Sequence, residues 1–152
     1  MKFLTITFLF FLAFCFSQEI DCPVENGVIY YNESYDYKNK YIKPEINLCC
    51  ETKVYSEKPI SVISVSEGKV SGVILTGNLL SILVRKGDEF YVYGYLSSIN
   101  VKKGDEVKIG DKIGKISKKD EFSDKGDYIL DFQYWQKTEP IDVFDQLKCI
   151  KK

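Results

Sequence analysis

From Ile60 onward, apolar and polar residues alternate with a period of two, in short blocks separated by Gly, Asp and Asn. Residues 60–65 alternate and run into Glu67-Gly68. Residues 69–75 end at Thr76-Gly77-Asn78, residues 79–85 end at Lys86-Gly87-Asp88, and residues 89–95 close the series. Period-two alternation puts successive side chains on opposite faces of a strand. Turn signals spaced about every eight to twelve residues predict consecutive hairpins, and therefore an all-β sandwich or barrel. Further on, residues 104–114 carry Gly104-Asp105, Gly110-Asp111 and Gly114, with Val107, Ile109, Ile113 and Ile116 between and after them. Gly-Asp pairs are tight-turn signals, so this segment reads as short strands joined by turns. Residues 129–134 alternate again. Ile129, Asp131 and Gln133 fall on one face and Leu130, Phe132 and Tyr134 on the other, and the second set is expected in the core. Only residues 141–149 have helical spacing, with Val143, Phe144, Leu147 and Ile150 on one side and Asp142 as a cap. They predict a short C-terminal helix.

The beginning of the chain reads differently. Lys2 precedes an apolar run from Phe3 to Phe16, and Cys15-Phe16-Ser17 presents small residues at the positions a signal peptidase requires. Residues 1–17 are expected to be a signal peptide cleaved before Gln18. A membrane anchor is the weaker alternative, because the run is shorter than a bilayer needs. A lipoprotein is weaker still, since Phe14 sits where a lipobox wants a small residue. The rest of the chain offers no second apolar segment, so the exported product is expected to have no membrane span. Residues 18–45 form a polar, tyrosine-rich extension with Tyr30, Tyr31, Tyr35, Tyr37 and Tyr41. Within it residues 28–31 could form a strand, and residues 32–40 read as a loop. The rings either pack the extension onto the domain or stack on sugars or a partner. Residues 46–150 are expected to be one domain.

The 152-residue length fits a single domain, and the net charge of −1 without a basic cluster gives no footprint for nucleic acid. Of five cysteines, Cys22, Cys49, Cys50 and Cys149 remain after signal cleavage. An even number in an exported chain predicts two disulfides. A vicinal Cys49–Cys50 bridge is strained, so the expected pairing joins Cys22 to one of these two and Cys149 to the other. A thiolate metal site is the alternative, but the spacing is not that of known zinc sites.

The order of motifs resembles the lysostaphin-type (LytM-like) zinc endopeptidases, which cut peptidoglycan cross-bridges. Val101, Gly104, Asp105, Val107, Gly110, Ile113 and Gly114 match that family's Val-x-x-Gly-Asp-x-Val-x-x-Gly-x-x-Ile-Gly. Tyr93-Gly94-Tyr95-Leu96 resembles its Tyr-x-His-Leu. Residues 129–133 stand where it has His-x-His-Phe-Glu, and Pro140-Ile141-Asp142 resembles its closing Pro-Val-Asp. The resemblance covers about residues 54–147. It implies an all-β, duplicated-hybrid-motif fold and places the family's metal ligands at Cys49, Lys53 and Asp131. The two further histidine positions fall at Tyr95 and Ile129, and Gln133 stands for a glutamate.

The chain contains no histidine. Active relatives use zinc, which the residues here are not expected to hold: a lysine ammonium repels a divalent cation, and isoleucine has no hydrogen bond to offer an oxyanion. Nor is there a histidine base for a Ser or Cys nucleophile. The carboxylates Asp120, Glu121, Asp124 and Asp127 read as a solvated loop rather than a glycan-cutting pair with Asp131. The Gly-rich segment lacks the Gly-Lys-Ser/Thr ending of a phosphate loop. Lys69 is not in the setting of a biotinyl or lipoyl carrier lysine.

The resemblance thus implies a periplasmic or extracellular, non-catalytic module that binds peptidoglycan or regulates a cell-envelope hydrolase. Tyr93, Tyr95, Asp131 and Gln133 are the groove candidates, with Phe132, Tyr134 and Trp135 nearby as either an aromatic surface or packing. The alternative is an active zinc endopeptidase with atypical ligands, Cys49, Glu51 and Asp131.

Overall fold

The alternating blocks become strands, because each buries one row of side chains in a shared core. The computed structural model describes residues 19–30, 50–118 and 126–152. The strands are β1 Val28–Ile29, β2 Thr52–Ser56, β3 Ser61–Ile63, β4 Gly68–Thr76, β5 Leu79–Lys86, β6 Glu89–Ile99, β7 Glu106–Val107, β8 Lys112–Lys118, β9 Tyr128–Gln136, β10 Glu139–Ile141 and β11 Ile150–Lys151. All eleven join one sheet, ordered β11-β1-β2-β9-β8-β6-β5-β4-β7, with β10 on β9 and β3 on β8. The expected all-β fold is present, as an open sheet. It is mixed rather than wholly antiparallel, because β1 and β11 run parallel.

The long strand β6 folds this sheet around its core. Its first half pairs with β9, from Glu89 opposite Gln136 to Gly94 opposite Asp131. Its second half pairs with β8, from Leu96 opposite Ile116 to Ile99 opposite Gly114. The register shifts at the change of partner. Val54, Val62, Val70, Ile82, Val84, Tyr93, Leu96, Ile113, Leu130 and Phe132, all essentially inaccessible to solvent, meet in a single core. Tyr93 packs on Phe132 with ring centroids 5.4 Å apart.

The Gly-Asp segment holds two copies of one turn. Asp105 N–H donates to Lys102 O and Asp111 N–H to Lys108 O, each at 3.1 Å. In return each aspartate accepts from the first residue of its turn, Lys102 N–H at 3.0 Å and Lys108 N–H at 2.8 Å. Gly104 and Gly110 have φ of 100° and 88°, the left-handed value a type II turn requires at its third position. One turn hydrogen-bonds to Val70 and the other to Ser64. These aspartates are structural.

Three expectations are corrected. No C-terminal helix forms. Asp142 Oδ1 does accept from Phe144 N–H at 2.9 Å, and Leu147 N–H reaches Val143 O at 2.9 Å, but the turn stops there. Lys148 N–H turns to Ile20 O and Ile150 N–H to Gly27 O, so the amino-terminal segment captures the chain as a strand. The apolar spacing of Val143 and Leu147 reflects burial of this turn, since both are at most 1% exposed.

The disulfide pairing also differs, because Cys22 bonds to Cys149. The β1–β11 pairing brings the two chain ends together there. Cys50 is disulfide-bonded too, and Cys49 lies outside the described residues. Finally, residues 19–30 belong to the domain rather than to an extension: Ile20, Val24 and Ile29 are core residues. The expectations for residues 1–17, for Tyr31, Tyr35, Tyr37 and Tyr41, and for Asp120, Glu121 and Asp124 fall outside the described residues. No helix among the described residues is long and apolar enough to cross a membrane, which says nothing of membrane β-barrels.

Candidate functional site

Strands β2, β9, β6 and β5 turn one face to the core and leave the other half-buried. Register defines the rows of the second face. Lys53, Asp131 and Gly94 lie side by side on β2, β9 and β6. Along β9 come Gln133, beside Val92 and then Leu83, and Trp135, beside Phe90 and then Arg85. Pro140 flanks Trp135 on the other side. The Arg85 guanidinium stands 5.4 Å from the Phe90 ring centroid, within cation–π range. An aromatic row therefore adjoins a polar one.

Hydrogen bonds link the polar residues. Trp135 Nε1–H donates to Gln133 Oε1 at 3.0 Å, which orients the amide. Gln133 Nε2–H then faces two carboxylates, Asp131 Oδ2 at 3.0 Å and Glu51 Oε1 at 3.4 Å. The glutamate that the resemblance implies at 133 would set a third negative charge against these two. Asp131 Oδ1 is buried without a hydrogen-bond partner among the described residues. Burial, reinforced by the Glu51 charge, pushes the Asp131 carboxyl up to about 6, against the opposing effects of the Gln133 hydrogen bond and the Lys53 charge. Asp131 also covers Gly94, where an added Cβ would come 3.3 Å from Asp131 Cβ.

Tyr95 stands at the handover of β6 from β9 to β8, with φ of 59°. At this point Gly94 and Tyr95 oppose Ser81 alone, so β6 carries one extra residue. A bulge of this kind re-aims side chains and bends the strand. Tyr95 is 41% exposed while Leu96 is fully buried, the reverse of what period-two alternation continued from Tyr93 would give.

The structure brings Asp131 and Gln133 together on one face and sets Tyr95 next to Gly94 at its edge. Tyr93 is corrected: it is fully buried, and its hydroxyl accepts from Val65 N–H at 2.9 Å, so it belongs to the core and not to the groove. Ile129 is 7% exposed and offers no polar atom. Trp135, read from the sequence as groove surface or as packing, orients the Gln133 amide, and Glu51, read only as an atypical ligand, shares it. The 131, 133, 135 spacing on one strand puts Trp135 on the face of Asp131 and Gln133.

The family's zinc does not fit these residues. Lys53 and Asp131, which the resemblance places at two ligand positions, are cross-strand partners, so an ammonium-bearing chain stands where the resemblance implies a second anionic or neutral ligand. Asp131 is already engaged by an amide. Glu51 and Asp131 do converge, as the atypical ligand set required, but Cys49 lies outside the described residues. Among the described residues no three His, Cys, Asp or Glu side chains are grouped to hold a metal ion. Two surface hollows of about 300 Å³ each are lined by other residues, including Glu25 and Ile60, and by none of Asp131, Gln133 and Tyr95.

Among solved structures, the fold is similar to a chain of the SpoIIQ–SpoIIIAH pore-forming complex. The match has a TM-score of 0.65 at 20% identity and covers 86% of this chain and 92% of that one. It is also similar to Csd3 of Helicobacter pylori, with a TM-score of 0.62 at 18% identity, covering 86% of this chain but 33% of that one. Lysostaphin of Staphylococcus simulans matches with a TM-score of 0.52 at 23% identity, covering 62% of this chain and 42% of its own. These identities speak for the fold alone. No curated protein sequence matches. The sequence profile of peptidase family M23 matches residues 49–143. On that match and on its LytM-like all-β fold, the chain belongs to peptidase family M23.

Proposed function

We propose that this protein is an exported, non-catalytic M23 module that binds peptidoglycan on the face centred on Asp131 and Gln133. The observation that carries the reading is the replacement of the metal corner. Lys53 stands opposite Asp131, and the Gln133 amide, held by Trp135, occupies the carboxylates a metal would need. What remains is a polar row beside an aromatic row, Phe90 and Trp135. Such a surface suits cell-wall material, whose sugars present apolar faces to rings and whose stem peptides present amides and ammonium groups. The Cys22–Cys149 disulfide supports export to an oxidising compartment. A face that holds the wall without cutting it can also position or restrain an envelope hydrolase, which is the regulatory form of the same reading.

The test is co-sedimentation of the purified, disulfide-intact protein with isolated sacculi, together with metal analysis and assay of released peptides. Binding is expected, weakened by Gln133→Ala, by Trp135→Ala and by Tyr95→Ala, with no peptide release. One zinc per chain with release of cross-bridge peptides overturns the non-catalytic reading in favour of the atypical peptidase. Binding that is the same in all three variants removes this face from the function.

A further inference from the structure

We propose that the free edge of β4 is a self-association surface, on which a second copy of this chain adds its own β4 antiparallel across a two-fold axis at Ile74. This inference is independent of the Asp131 face. Among the described residues the edge is bare: β7 covers β4 only at Gly68 and Lys69, and the Gly104–Asp105 turn reaches no further than Val70. From residue 71 to 76, β4 pairs with β5 on one side and with no described strand on the other. Antiparallel geometry points alternate backbone N–H and C=O groups outward along such an edge, ready to pair.

The side chains there are unusual for a free edge. Residues 71–84 contain no charged residue and no proline, the usual devices that block edge pairing. Ile74 is 50% exposed and Leu75 is 67% exposed, on opposite faces of the hairpin.

A second copy fits this edge by symmetry. In a two-fold antiparallel pair centred on Ile74, each residue meets the one equally far beyond the dyad on the other copy. Ile74 then meets Ile74 of the other copy on one face. Leu75 meets Val73 twice on the other face, and Thr76 meets Gly72. The nearest charge on β4, Lys69, lies outside this overlap and is already paired with Glu106 of β7, so no like charges are opposed. A charged partner strand would instead set its charges against an edge with none to answer them. The pairing is small. Five residues span roughly 17 Å, and a contact of that length falls short of the ~1,200 Å² of a stable interface, so the dimer is reversible and concentration-dependent.

Sedimentation velocity on the full chain with its disulfides intact, from about 1 μM to about 1 mM, tests the proposal. A monomer–dimer transition is expected. Ile74→Lys and Leu75→Lys change exposed side chains, so both variants should keep the wild-type melting temperature. Each should raise the midpoint concentration about tenfold or more, since each places like charges near the dyad. Hydrogen exchange should show amides within residues 71–76 gaining protection as concentration rises in the wild type only. A monomer throughout the range overturns the proposal, and so does a dimer whose midpoint is the same in both variants. Protection of residues 71–76 that appears only on adding another protein's strand also overturns it, in favour of a foreign partner.

Discussion

Lys53 on β2 and Asp131 on β9 are directly opposed cross-strand partners. Both occupy positions that the M23 resemblance assigns to metal ligands. The pairing is not a simple ion pair, however. The Lys53 charge favours the Asp131 carboxylate, but it is the weakest of the effects on that group, and burial and Glu51 outweigh it.

The first prediction follows from that imbalance. The Asp131 pKa in the fold is about 6, against an ordinary value of 3.8. The folded state therefore holds this proton more tightly than the unfolded chain does. Its contribution to stability is fully present below about pH 4 and is lost as pH rises through about 6. Asp131→Asn removes the buried charge, leaves an oxygen to accept from Gln133, and should stabilise the protein at pH 7 by about 1–3 kcal/mol. Urea unfolding between pH 4 and 8 checks this: the difference between the variant and the wild type should grow through pH 6. A constant difference across that range would falsify the assignment.

Tyr93 and Tyr95 flank one glycine and lie on opposite sides of the sheet. Tyr93→Phe strands the buried Val65 N–H that its hydroxyl accepts from, and should cost about 1–3 kcal/mol. Tyr95→Phe should be nearly neutral, because the residue is 41% exposed. Tyr95→Gly should exceed Tyr95→Ala in stability by about 1 kcal/mol, because only glycine adopts its φ of 59° freely. Chemical denaturation of the four variants separates these effects.

These two tyrosines also show how far the sequence could be read. Alternation identified β4, β5, β6 and β9, because burying one face enforces period two. The same rule put Leu130 and Phe132 in the core, where both are fully buried. It gives Tyr93 and Tyr95 the same side, and motif resemblance alone put both in the groove. The extra residue at Gly94–Tyr95 breaks the parity, and no local signal in the sequence marks it. The order of the Gly-Asp turns was legible because each turn closes on itself. The fate of residues 141–149 was not, since hydrogen bonds to Ile20 and Gly27, more than a hundred residues away, override a local apolar spacing.

The disulfide is long-range in the same way, joining cysteines 127 residues apart. It sits beside the β1–β11 pairing, a two-residue parallel ladder too short to hold the chain ends alone. Replacing Cys22 and Cys149 together by alanine should cost about 2–5 kcal/mol, with loss of order in β1 and β11 first. Hydrogen exchange should show the amides of Ile150 and Lys152, bonded to Gly27 and Ile29, losing protection ahead of β6 and β9. Equal loss throughout would mean that the termini and the core unfold as one unit.

The last prediction concerns a turn. Three hairpins of this sheet have two-residue loops, and in each the first loop residue is left-handed: Gly77 at φ 61°, Gly87 at φ 62° and Lys137 at φ 55°. That geometry matches the twist of the flanking strands and is natural for glycine. Lysine carries a Cβ that crowds the backbone there, at a cost of about 1 kcal/mol. Lys137 persists because its N–H donates to Asp88 O at 2.7 Å, tying the β9–β10 turn to the β5–β6 turn. Lys137→Gly keeps that donor and relieves the crowding. The added freedom of glycine in the unfolded chain offsets part of the gain, leaving about 0.5 kcal/mol of stabilisation. Lys137→Pro removes the donor and cannot adopt a positive φ, so it should destabilise by about 3 kcal/mol or more. Urea midpoints of the two variants should therefore move in opposite directions from the wild type. A Lys137→Gly midpoint below the wild type would show that the side chain itself holds the turn.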